Sequence, residues 1–226
     1  MAETVLPHNL ATGIDNGCQL LAFSVMIETE QSIKRDPMKM IEDPPTHMLF
    51  ELDFTCMFNM INREVTAELL ETEMPELYHY FWATYGHPLK HYYAQENGEM
   101  GTFTQEEGFV QGGSMSGLFA AIAIKPLLKK CVERSNARRK KFLEEQRQSG
   151  VAKNHSVFLE LNPLAWVDDV YPQPAVDDAE YFLRDIINCG PAYRADLNLK
   201  KTRAVLSLNG RDLHPLYSER VQVSIK

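Results

Sequence analysis

Three carboxylates stand where apolar strands are expected. Asp53 lies near the end of HMLFELDF (residues 47–54), and Asp168 and Asp169 interrupt LAWVDDVYP (residues 164–172). An ionised carboxylate among apolar neighbours is costly unless it is paired or holds a metal. Two such strands side by side would hold two divalent cations about 3.5–4 Å apart. That arrangement suits in-line phosphoryl transfer, with one ion activating the attacking oxygen and the other stabilising the leaving oxygen. Oxygen-only ligands select Mg2+ or Mn2+ over softer metals. The same residues fit a plainer reading, with the doublet as a hairpin turn and Asp53 as a helix N-cap.

A second feature is EEGFVQGGSMSG, residues 106–117. Its glycines allow backbone to approach a ligand closely, and it leads into a helix whose first N–H groups suit phosphate. It is not a phosphate-binding P-loop, because no GK[ST] follows. Nor is it a nucleophile elbow, because Gly113 and Gly117 bracket Met115 rather than a serine. The seven histidines form no metal-ligand spacing, and Pro88 separates His87 from His91.

The elements that must position these residues follow from periodicity and punctuation. GCQLLAFSVMIETEQSI reads as a helix, and residues 47–54 as a strand ending at Asp53. NREVTAELLETEM reads as a helix closed by Pro75, and PELYHYFWATYG as a second one between Pro75 and Gly86. KHYYAQ and GTFTQEE form a hairpin about Asn97–Gly98. Ser114 is placed to cap a long helix in which Pro126 predicts a kink or break. VFLEL and LAWVDDVYP are strands separated by Asn162–Pro163, DDAEYFLRDIINCG is a helix ending before Gly190, and TRAVLSL is the last strand. This irregular alternation predicts an α+β fold with a largely antiparallel sheet.

Composition sets the boundaries. The chain has 226 residues, 44% apolar and 24% charged, which is ordinary globular usage. No apolar run approaches membrane-spanning length and no secretory signal is visible, so an intracellular setting, cytoplasmic or nuclear, is expected. Four cysteines without CxxC spacing fit a reducing compartment. The net charge of −8 is uneven: residues 1–124 carry −13, residues 125–153 carry +7 and residues 154–226 carry −2. The basic block reads either as a solvated helical face or as a surface for nucleic acid.

Taken together, the segments resemble the palm and adjoining fingers of a reverse transcriptase, in the retrotransposon style. LPHNLATGIDNGCQLLAF resembles the stretch before the first catalytic strand. ELDFTCMFNMINR resembles the first catalytic motif: an aspartate, an aromatic five residues later, then Asn and Arg. The helix, hairpin and GFVQGGSMSG resemble the connecting region and the glutamine–glycine motif; AWVDDV resembles the aspartate-doublet hairpin, and DLNLKKTRAVL the motif after it. These segments run in the family's order over roughly residues 5–208.

The resemblance implies a palm with a ferredoxin-like antiparallel sheet backed by helices, plus partial fingers. Residues 1–45 would be the fingers portion, 46–208 the palm and 209–226 a remnant without a thumb. It implies Asp53, Asp168 and Asp169 as the catalytic acids, and these with the Phe54 backbone as ligands of Mg2+ or Mn2+. Phe58 matches the aromatic gate that crowds the sugar 2′ position, which implies deoxynucleotide use. Gln111 and Gly112 would line the incoming nucleotide and template, and Lys201 would lie near the triphosphate. Arg63 is expected on the helix surface or in a salt bridge. The implied partners are an RNA or DNA template with its primer, deoxynucleoside triphosphates, and further polymerase or endonuclease domains on a longer parent chain.

The implied activity is RNA-directed DNA polymerisation. The rivals are a catalytically inactive palm that binds nucleic acid or protein, a Mg2+-dependent nuclease or phosphatase, and an RNA-directed RNA polymerase. Phe58 and Gln111–Gly112 have no task in a nuclease or phosphatase, and Phe58 argues against RNA synthesis.

Overall fold

The structure is a computed structural model that describes residues 47–149, 161, 164–166 and 169–205. The expected first helix, the VFLEL strand, the fingers portion, Asp168 and the C-terminal remnant lie outside the described residues. In chain order the elements are β1 (Leu49–Glu51), α1 (Met57–Met60), α2 (Arg63–Glu73), α3 (Pro75–Tyr85), β2 (Leu89–Ala94), β3 (Met100–Gln105), α4 (Ser116–Gln148), β4 (Leu164–Trp166), β5 (Asp169–Tyr171), α5 (Ala179–Cys189), a 3-10 turn (Gly190–Tyr193) and β6 (Arg203–Val205). This is a mixed α+β architecture with antiparallel pairing throughout.

β1 is the hub. On one side it pairs with β6, Phe50 opposite Ala204. On the other, the N–H groups of Met48, Phe50 and Leu52 donate to the carbonyls of Pro174, Pro172 and Val170 at 3.0, 3.0 and 2.9 Å. β4 and β5 form a hairpin with Trp166 opposite Asp169. The lateral order is therefore β4–β5–β1–β6, with β1 between strands that lie more than a hundred residues later in the chain. Along β1 the side chains alternate as a strand requires. Met48, Phe50, Leu52 and Phe54 are buried, while Leu49, Glu51 and Asp53 are partly open.

The buried face joins one core with the first half of α4, where Leu118 to Ile124 are all buried, and with Phe182, Leu183 and Ile186 of α5. That packing explains Pro126. α4 runs through it without a break. A proline removes one helical hydrogen bond, but Leu127 and Leu128 just beyond it are fully buried, and that burial favours keeping the segment helical. Ser114 does not cap this helix, which starts at Ser116; the Ser116 hydroxyl bonds instead to the buried Tyr85 hydroxyl at 2.9 Å. Tyr85, Phe81, Phe109 and Phe119 pack mostly edge to face, with centroids 5.1–6.1 Å apart, and tie α3 to α4.

α2 and α3 match their punctuation. The Asn62 side chain accepts from the Glu64 and Val65 N–H groups, and Pro75 opens α3. The β2–β3 hairpin turns about Asn97 and Gly98, the latter at φ 84°. Gly190 lies just past the end of α5, as expected. It stays right-handed and continues into the 3-10 turn, while the left-handed residue is Arg194 at φ 53°. Gly190 is needed for close approach, because a Cβ there would stand 2.3 Å from the Ala195 carbonyl oxygen.

Candidate active site

Asp53 sits two residues beyond the end of β1, where residues just before β6 hold its backbone. Its N–H donates to the Thr202 hydroxyl at 3.3 Å, and its carbonyl accepts from the Asn198 N–H at 2.8 Å. The next bond runs from the Thr55 N–H to the Asp196 carbonyl at 2.8 Å, so the Phe54 carbonyl is left out of the ladder on that side. Leu52 pairs with Val170. One residue further, the register sets Asp53 beside Asp169 on the neighbouring strand. Leu52 and Val170 face the core, so alternation directs Asp53 and Asp169 to the opposite, open side. Asp169 is exposed.

The Asp53 carboxylate is unevenly served. Oδ1 lies 3.8 Å from Nζ of Lys201, whose side chain is 71% exposed. Oδ2 is buried and has no hydrogen-bond partner among the described residues. An unpaired buried carboxylate oxygen is expensive, and it is the kind of atom a hard cation satisfies. Among the described residues no group of three His, Cys, Asp or Glu side chains forms a metal cluster.

The other expected residues fall around this point at different depths. Phe54 is buried and bridges to Leu197. Phe58 is half-buried in α1, and its carbonyl accepts from the Phe109 N–H. Gln111 and Gly112 are exposed in the turn before α4, with Gly112 at φ 85°. The loop that carries them is pressed against α1. The Gly108 N–H donates to the Ile61 carbonyl at 3.1 Å, and a Cβ on Gly108 would stand 2.2–2.3 Å from Asn59 and Phe58 backbone atoms.

No family model matches the sequence, and no curated protein matches it. Solved structures do. Telomerase from Candida tropicalis, truncated from the C-terminal domain, superposes with a TM-score of 0.54 at 13% identity, over 88% of this chain and 37% of that one. Telomerase from Candida albicans, in complex with the TWJ fragment of telomeric RNA, gives 0.52 at 11% identity, over 93% of this chain and 34% of that one. The chain shares the fold of part of telomerase. At these identities the likeness is one of fold alone, and the chain spans about a third of the telomerase length.

Two expectations about basic residues change. Arg63 is buried rather than on the helix surface, and among the described residues its guanidinium bonds to backbone carbonyls and not to a carboxylate. The basic block of α4 is not simply a solvated face. Arg138 bonds to Asp178 at 2.5 Å and Asp185 at 2.5 Å, Arg134 to Asp185 at 2.9 Å, and Arg139 to Asp177 at 2.7 Å. Two groups that shape the site carry no role in the sequence analysis, Thr202 and Asn198, which hold the Asp53 backbone, and Arg63 has a different role from the one expected. An arginine in an otherwise buried helical register (Arg63, Thr66, Ala67, Leu70) was the available signal.

Proposed function

We propose that this chain is the nucleotidyl-transfer core of an RNA-directed DNA polymerase, built on a ferredoxin-like palm. The supporting observation is Asp53: a carboxylate with one buried oxygen that no described residue serves, held at a strand end beside the strand of Asp169, in a telomerase-like fold. On this reading Asp53, Asp168, Asp169 and the Phe54 carbonyl hold Mg2+ or Mn2+, which supplies charge neutralisation at the reacting phosphate. The protein's share is positioning. Thr202 and Asn198 fix the Asp53 backbone. Phe58 bounds the sugar of the incoming deoxynucleotide. Gln111 and the Gly112 backbone bound its other side and the template. Lys201, already near Asp53, orients the triphosphate and donates a proton to the leaving pyrophosphate.

The test is primer extension on poly(rA)–oligo(dT) with labelled dTTP and Mg2+ or Mn2+. Wild type should incorporate label, and Asp53→Asn or Asp168→Asn should lower incorporation about a hundredfold or more. No incorporation by wild type, with primer–template binding retained, would favour a second reading: an inactive palm that serves as a binding module. The observation that favours that alternative is the internal pairing of the α4 arginines, which leaves less cationic surface for a duplex.

A further inference from the structure

Arg63 spends its whole hydrogen-bonding capacity on one loop system. A guanidinium has five N–H donors in a fixed fork. Here Nε donates to the Gly108 carbonyl at 2.7 Å, Nη1 to Tyr85 and His87 at 3.2 and 3.3 Å, and Nη2 to Gln105 and Glu107 at 3.5 and 3.4 Å. All five acceptors are backbone carbonyls. They lie just before β2, at the end of β3 and in the loop beyond, so one side chain closes the root of the hairpin and the start of the Gln111 loop together. That loop then returns the contact to α1, through Gly108 N–H to the Ile61 carbonyl and Phe109 N–H to the Phe58 carbonyl. The Tyr85 ring covers the guanidinium, 5.4 Å from its carbon.

Phe58 and the Gln111–Gly112 turn are therefore two ends of one braced unit, and the brace is Arg63. We infer that Arg63 is the positioning residue for sugar selection: it fixes Phe58 against the glutamine–glycine loop, and so sets how strongly the pocket refuses a 2′-hydroxyl. This rests on the proposed nucleotide roles of Phe58 and Gln111. A steric gate discriminates only if its wall is stiff, and such constellations must be held to about 0.5 Å. Lysine cannot replace the brace, because it has three donors on a flexible stem and no planar fork. A merely structural Arg63 would, when altered, lower turnover on all nucleotides alike.

The experiment measures single-nucleotide incorporation of dATP and of ATP on an RNA template with a DNA primer. It compares wild type, Arg63→Lys, Phe58→Val and the double variant. Arg63→Lys should lower the preference for dATP by about tenfold, with KM for dATP rising more than kcat falls. The double variant should show the preference of Phe58→Val alone, because the brace acts through the ring it holds. If Arg63→Lys does not fold, Gly108→Ala carries the test. Its Cβ strikes the same contact from the loop side, and it should lose preference likewise. An active wild type whose variants keep the full dATP preference, or a double variant that falls further than Phe58→Val, overturns this inference and leaves the polymerase reading standing. A wild type that extends no primer overturns both.

Discussion

Asp53 carries a cost that the fold alone does not repay. Among the described residues its Oδ2 is buried without a hydrogen bond, and its carboxylate faces a largely exposed lysine at 3.8 Å. A pair so open to water contributes little, while a buried polar atom left unsatisfied costs about 1–3 kcal/mol. Stability and activity should therefore separate at this position. Asp53→Asn is expected to melt at or above the wild-type temperature while losing incorporation, as read by thermal unfolding beside primer extension. A variant that melts well below wild type would show that the carboxylate serves packing. The residue was legible as chemistry because an acid interrupts an apolar strand. Its uneven environment was not, because Thr202, Asn198 and Lys201 lie about 150 positions away in the chain. Cys56 gave no signal either: it holds φ 47° at the entrance to α1, a left-handed conformation that sequence reading assigns to glycine or asparagine.

At the scale of elements, local punctuation was readable and long-range pairing was not. Asn62, Pro75, Gly86 and Asn97–Gly98 each act on the backbone within a few residues, and α2, α3 and the β2–β3 hairpin follow them. Pro126 does not break α4, because its effect is local, whereas the apolar burial around it comes from β1 and α5. The α4–α5 contact shows the same thing with charge. Read along the chain, the arginines of α4 look like a cationic face; folded, they meet Asp177, Asp178 and Asp185. Asp178 is 6% exposed and also accepts from the buried Ser135 hydroxyl at 2.5 Å. Two carboxylates depend on Arg138, and those bonds hold its guanidinium protonated more firmly than usual against the opposing effect of burial. Cys131 packs in the same contact, where burial pushes its thiol up to about 12 and leaves it a small apolar side chain. Removing Arg138 strands Asp178 in the interface, so Arg138→Ala should cost about 2–3 kcal/mol. Arg134→Ala, at an open position, should shift the unfolding midpoint much less. Urea midpoints of the two variants check the order, and equal shifts would contradict it.

For the whole molecule, charge and reach decide what the proposed polymerase core would hold. Affinity for a nucleic-acid duplex comes mostly from cations that displace counterions, and each phosphate neutralised adds about 0.9 to the salt slope. This chain has a net charge of −8, and five cations of its basic block, Lys125, Arg134, Arg138, Arg139 and Lys141, lie in ion pairs with its own carboxylates. That pairing diverts half of the block's ten cations from a phosphate backbone. The β2–β3 hairpin offers aromatic surface, with Tyr92 and Phe103 63% and 54% exposed, but Glu96 and Glu99 stand at its tip. The expected behaviour is chemistry without grip. The chain should add one or a few nucleotides per encounter, dissociate, and lose binding only gradually as salt rises, because few contacts are ionic. A trap experiment reads this directly: primer–template is bound first, then dTTP is added with excess heparin, and product lengths are resolved. Products of one to a few added residues are expected, lengthening only when the trap is omitted. Long products in the presence of the trap would mean that this chain encloses the duplex by some surface other than its arginines, and would move the search for that surface to the exposed aromatics of the hairpin.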